Sequence, residues 1–272
     1  ITGPVVAGFV FVVGPEWPYA LTAALLLVTI FVMAQLPRSN VAQLDASEAG
    51  GHLVRQAYEG LRFIRRTPVL LGAISLDLFA VLLGGAVALL PAIAEDRLGV
   101  GAVGLGWLRA AVGIGAGSTA LLLARRPLTR HVGRVLLVSV AIFGIGTVVL
   151  GLTNLFVIAF TAIVVLGAAD AVSVFIRSTL VPLATPENMR GRVLAVEGVF
   201  IGASNELGAF ESGVAASLLG IMGAVLFGGF GTLAIVGIWW FAFPSLRKID
   251  RFGEIIPDHV SETVESIEDL TR

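Results

Sequence analysis

The ionisable side chains that stand inside otherwise apolar stretches include Asp77, Arg109, Asp170, Arg177, Glu197 and Glu206. Carboxylates and guanidinium groups in such surroundings can pin helices together as ion pairs, relay protons or orient a polar solute. A charge at a bilayer centre costs about 2.5–3.5 kcal/mol, so such residues face a protein interior and mark pathways. At a helical rise of 1.5 Å per residue, Asp77 lies about 14 Å from one end of its run and Arg109 about 12 Å from the opposite end of the next. Both approach the middle of a core about 30 Å thick, so they are expected to pair between antiparallel neighbours. That pair is either a structural pin or a proton-coupling and substrate-orienting element. Asp170 and Arg177, seven residues apart, share a helical face and read as a local gate or a structural pair. Farther on, Glu197, Ser204, Gly208 and Glu211 share one face at 100° per residue, and Glu206 points away from it. Glu206, near mid-depth, is the sharper candidate for protonation, and Asn205 beside it is expected to hydrogen-bond across helices.

Other chemistry is poorly supplied. There are no cysteines, and the three histidines, His52, His131 and His259, lie outside the apolar runs. Asp170, Glu197 and Glu206 could serve acid–base catalysis, but no histidine, cysteine or nucleophilic-serine motif joins them. No phosphate loop of the GxxxxGK[ST] type is present. The sequence therefore gives little support to an enzyme and implies no metal and no cofactor. A net charge of −1 makes no electrostatic case for a nucleic-acid partner.

The elements that must position these charges are long apolar runs at 18–36, 68–93, 102–124, 135–152, 155–177, 193–219 and 221–244, with a partial one from Ile1 to about Val13. A bilayer needs about 20 apolar residues of helix, and a backbone in lipid must satisfy its own hydrogen bonds. Strand-length alternation is absent. With 57% hydrophobic and 14% charged residues, the chain reads as an all-α membrane protein.

Lysine and arginine alternate between the connections. Fifteen of the eighteen fall in 37–67, 125–134, 183–192 and the tail after 245, only Arg97 lies on the other side, and Arg109 and Arg177 lie within runs. The positive-inside rule puts the basic side and the C-terminus in the cytoplasm of a cell (inner or plasma) membrane. In the connection 37–67, residues 37–51 are small and polar, as in a linker. Residues 52–66 place Val54, Ala57, Leu61 and Ile64 on one helical face, either on the membrane surface or against the bundle. Residues 254–270 form an acidic tail.

A long cytoplasmic linker followed by six spans resembles the second half of a major facilitator superfamily transporter. Gly3-Pro4-Val5-Val6-Ala7-Gly8 resembles the glycine–proline motif in the fifth helix of exporters of that superfamily, with Ala7 where the pattern has glycine. Arg130-His131-Val132-Gly133-Arg134 is similar to the family's loop between helices eight and nine. Gly133 and Arg134 match, and Arg130 and His131 replace the usual acidic and basic residues. Pro186-Glu187-Asn188-Met189-Arg190-Gly191-Arg192 resembles the loop between helices ten and eleven, and with the stretch 59–68 it is similar to the enterobactin-exporter and macrolide-efflux branch.

The resemblance implies a major facilitator-type helical bundle. Residues 1–36 would end the N-terminal bundle, 37–67 form the linker, 68–245 the C-terminal six-helix bundle and 246–272 the cytoplasmic tail. The chain would then be the C-terminal part of a longer, monomeric protein. The implied function is secondary active, proton-coupled export of a siderophore- or drug-like small molecule by rocking of two bundles in the lipid bilayer. An importer of the same fold is the alternative; a non-transporting scaffold or a membrane enzyme is less favoured. Gly3, Pro4 and Gly8 are expected to pack or slide against Gly113 and Gly117, whose four-residue spacing allows close helix approach. Substrate contacts are expected from Phe79, Trp107, Phe175 and Phe200, or these are ordinary packing.

Overall fold

In the computed structural model, residues 10, 14, 16–35 and 46–255 are described. The helices are α1 (Trp17–Ala34), α2 (Ala46–Arg66), α3 (Pro68–Leu83), α4 (Gly101–Arg125), α5 (Val132–Leu152), α6 (Phe156–Leu183), α7 (Glu187–Ala242) and the short α8 (Pro244–Lys248). No strand occurs among the described residues. Five helical stretches are long and apolar enough to cross a membrane, and α1 contributes a shorter apolar helix.

Local chemistry sets the boundaries. Thr67 is extended (φ −107°, ψ 98°) because the ring of Pro68 disfavours helical geometry in the residue before it. Pro68 then opens α3, where its missing N–H costs nothing. Regular helix stops at Gly84, and a 3-10 turn (Gly85–Leu89), a helical turn (Leu90–Ala92) and a π turn (Ile93–Arg97) carry the span to its end.

The 56 residues of α7 are two spans joined at Gly220 (φ 74°, ψ 166°), a conformation open only to glycine. The chain reverses there. A Cβ at Gly208 would meet the Val81 carbonyl oxygen and one at Gly228 the Leu83 carbonyl oxygen, so both legs flank the same turn of α3. The second leg runs antiparallel to α3: Thr232 Oγ1 donates to the Ala80 carbonyl and, farther down, Trp239 Nε1 to the Gly72 carbonyl at 3.1 Å.

The second leg also packs on α5, through Gly144 and Gly229. From there α5 packs on α6 and α6 on α4. The six membrane-capable segments from α3 to the end of α7 thus alternate in direction, as the charge pattern requires.

Two cores fill the ends. Leu76, Leu136, Ile176, Leu180 and Val193 are buried at the arginine-rich end, and Leu90, Ile93, Leu108, Leu150 and Ile163 at the other. The later part of residues 52–66 touches the bundle. Ile64 of α2 is only 2% exposed and belongs to the first core, and a Cβ on Gly60 would stand 2.8 Å from the Arg192 carbonyl oxygen. By contrast, α1 leaves almost all its described side chains exposed.

Candidate functional site: a buried ion cluster beside a cavity

The buried charges meet where α3, α6 and α7 converge. Arg177 on α6 forms an ion pair through Nη2 with Asp77 Oδ1 on α3 at 2.7 Å, and its Nη1 stands 4.0 Å from Glu197 Oε1 on α7. The three side chains are 7–9% exposed. Arg177 Nε is buried with no hydrogen-bond partner. One guanidinium therefore links three helices electrostatically, through a close ion pair to Asp77 and a longer one to Glu197.

The cluster borders a cavity of about 420 Å³ to which Asp77, Asp170, Arg177 and Asn205 contribute polar groups and Val81, Val112, Phe143, Leu166, Val174 and Ile201 apolar wall. This is the volume range of small-molecule sites, which combine apolar lining with a few polar groups.

The pairing departs from expectation. Asp77 meets Arg177 and not Arg109, because α3 lies along α7 and approaches α4 mainly through the turns after residue 84. Arg109 is exposed on α4. Asp170 does not touch Arg177: seven residues of helix separate them by about 10 Å, and Asp170 is half-buried on the cavity wall.

Glu197, Ser204 and Gly208 are buried on one face of α7 and Glu211 is half-buried, in line with the helical spacing; Glu206 is exposed on the other. Asn205 donates to its own helix, to the Ile201 carbonyl at 2.8 Å, not across helices.

Among the aromatic candidates, Phe79 packs edge-on to Trp239 and Phe175 to Phe252, Phe200 lines a groove beside α2, and Trp107 is exposed. The aromatic ring on the cavity is Phe143. Its position in a uniformly apolar run gave no signal.

The glycine motif divides in the same way. Gly3, Pro4 and Gly8 lie outside the described residues. Gly113 and Gly117 are half-buried, whereas the close approach of α4 to α6 runs through Gly115, whose Cβ would strike the Val164 carbonyl, and Gly167, whose Cβ would stand 2.5 Å from the Val112 carbonyl.

The two loop motifs have different surroundings. His131 adopts a left-handed conformation (φ 58°) that aims its N–H at Asp250 Oδ1, 3.0 Å away. The N–H groups of Val132 and Gly133 donate to the carbonyls of Asp250 and Ile249, closing the loop 126–131 onto the segment after α8. The hydrogen bond from His131 N–H, followed by the charges of His131 and Arg130, holds the Asp250 carboxyl below its ordinary 3.8. Arg134 is exposed. In the second motif Arg190 and Gly191 are exposed, and Arg192 donates to Glu59 Oε2 of α2 at 2.7 Å.

The chain is similar to curated enterobactin exporters. It is 26% identical over 227 residues to Enterobactin exporter EntS of Shigella dysenteriae serotype 1, covering 83% of this chain and 52% of that protein. It is likewise 26% identical over 256 residues to the same-named exporter of Escherichia coli O139:H28, covering 91% of this chain and 59% of that protein. It thus spans less than two thirds of the length of these relatives. No solved structure matches. The family described as transmembrane secretion effector matches residues 1–266, and with the helical bundle built above, the chain belongs to this family of major facilitator superfamily transporters.

Proposed function

We propose that the protein is a secondary active exporter of a siderophore- or drug-like small molecule. The observation that carries the reading is the Asp77–Arg177–Glu197 cluster, which joins three helices beside the cavity of about 420 Å³. One guanidinium is paired with two acids, Asp77 and Glu197, and a third, Asp170, stands on the wall of the same cavity. An excess of carboxylate at such a place can take up and release a proton as the pairing changes, and intramembrane acids of this kind mark proton relays.

The proposed cycle is alternating access, with residues 68–245 rocking as one lobe against a lobe that ends with 1–36. The arginine-rich end and the C-terminus face the cytoplasm of a cell membrane, and the working unit is a monomer. Export in place of import is supported by the fifth-helix resemblance and by the names of the relatives.

Reconstitution of the protein in proteoliposomes with an imposed pH gradient tests this. Flux coupled to the gradient is expected, and Asp77→Asn should cut it at least about tenfold, since the neutral amide leaves Arg177 without its closest counter-charge. Undiminished proton-driven flux in Asp77→Asn rejects the cluster as the coupling element, and solute binding with no flux rejects the transporter.

A further inference from the structure

Arg177 cannot serve every acid around it. Its Nη2 is committed to Asp77 at 2.7 Å, and Glu197 stands next at 4.0 Å. Asp170 is left with no direct hydrogen bond or ion pair among the described residues. Arg109, the other arginine inside an apolar run, is exposed and not on the cavity wall. Asp170 borders the cavity of about 420 Å³, whose remaining wall near it is apolar, with Val81, Phe143, Leu166, Val174 and Ile201.

A half-buried carboxylate on an apolar wall, with no partner of its own, carries part of the cost of desolvating a charge. A solute that brings its own positive charge removes that cost and covers the apolar wall with its body. An anionic solute meets a surface on which acids outnumber the guanidinium. Asn205 offers it little, because the amide is already donated to Ile201.

We propose that this cavity accepts amphipathic organic cations, with Asp170 as the counter-charge that selects them. The inference rests on the cavity being the solute site of the transporter. It narrows the solute by charge, toward a class opposite to acidic chelators.

The test uses two probes of nearly the same shape and apolar surface, the tetraphenylphosphonium cation and the tetraphenylborate anion. Binding of each to the purified protein in phosphatidylcholine nanodiscs is measured by equilibrium dialysis, with empty nanodiscs subtracted. The cation should bind at least about tenfold more tightly than the anion, as expected for one desolvated charge pair at contact. Asp170→Asn should abolish that preference and Asp170→Glu should keep it.

Equal binding of the two ions by the unaltered protein overturns the proposal without any mutant. An unchanged preference in Asp170→Asn that is folded by circular dichroism overturns the role of Asp170. The outcome is separable from that of the transport reading. Charge-selective binding without flux keeps the inference and removes the transporter. Gradient-driven flux of an anionic solute with no charge preference in binding does the reverse.

Discussion

At the scale of single residues, two glycines from the two loop motifs make a controlled comparison. A Cβ on Gly133 would run into the Leu246 carbonyl oxygen, a backbone atom that cannot swing aside, whereas Gly191 has nothing within 4 Å of that position. Gly133→Ala should therefore destabilise the protein by about 1–3 kcal/mol, as overpacking does. Gly191→Ala, exposed within α7, should be neutral or stabilise by about 0.5–1 kcal/mol through helix propensity. Thermal unfolding of the detergent-solubilised protein measures both; equal midpoints for the two variants would contradict the docking of the loop on α8. This difference is invisible in the sequence, where both glycines precede or follow arginine in similar polar loops. The membrane charges were legible as a set for the opposite reason, since any ionisable group in an apolar run stands out. Which acid meets which arginine was not legible: Arg177 meets Asp77, a hundred positions away, and the intervening order of helices says nothing about neighbours in space.

At the scale of elements, the apolar runs translate directly into helices because length and hydropathy alone decide that in lipid. Their ends were less visible. The run expected to stop at 177 continues in α6 to Leu183, which moves Arg177 from an end into the cluster, and the reversal at Gly220 is one glycine among several in α7. The clasp between the loop 126–131 and the segment after α8 has a pH limit that follows from Asp250. Its carboxyl titrates below the ordinary 3.8 because the charged form accepts the His131 N–H. A depressed carboxylate contributes stability above its unfolded value and loses it as pH falls through the lower, folded one. Asp250 should hence stay ionised down to about pH 5, and the clasp should loosen only below about pH 4. Hydrogen exchange of the Val132 and Gly133 amides, which donate into this segment, reads it after correction for intrinsic exchange. Loss of protection already between pH 7 and 5 would show that Asp250 does not hold the loop.

For the whole molecule, the placement of the ends joins sequence and structure most tightly. Arg97 donates to the Gly151 and Thr153 carbonyls and to Asn154, tying the turn between α5 and α6 to the end of the first span. The loop 126–131 meets Asp250 at the other end of the bundle. The positive-inside asymmetry therefore coincides with a physical polarity: among the described residues one end carries Arg97, held by two carbonyls and Asn154, and the other the arginines of α2 and of the chain after α7. On the two-lobed reading, the exposed faces of α4 and of the first leg of α7, with Arg109 and Glu206, belong against the other lobe and not in lipid, where each charge would be costly. The absence of cysteine makes the threading directly measurable. Leu155→Cys and Arg126→Cys introduce single thiols at exposed positions of opposite ends. In intact cells a membrane-impermeant maleimide should label the first, and the second only after permeabilisation. Labelling of both from the same side would put the two ends in one compartment, which no alternating set of six spans allows, and would take the exporter reading with it.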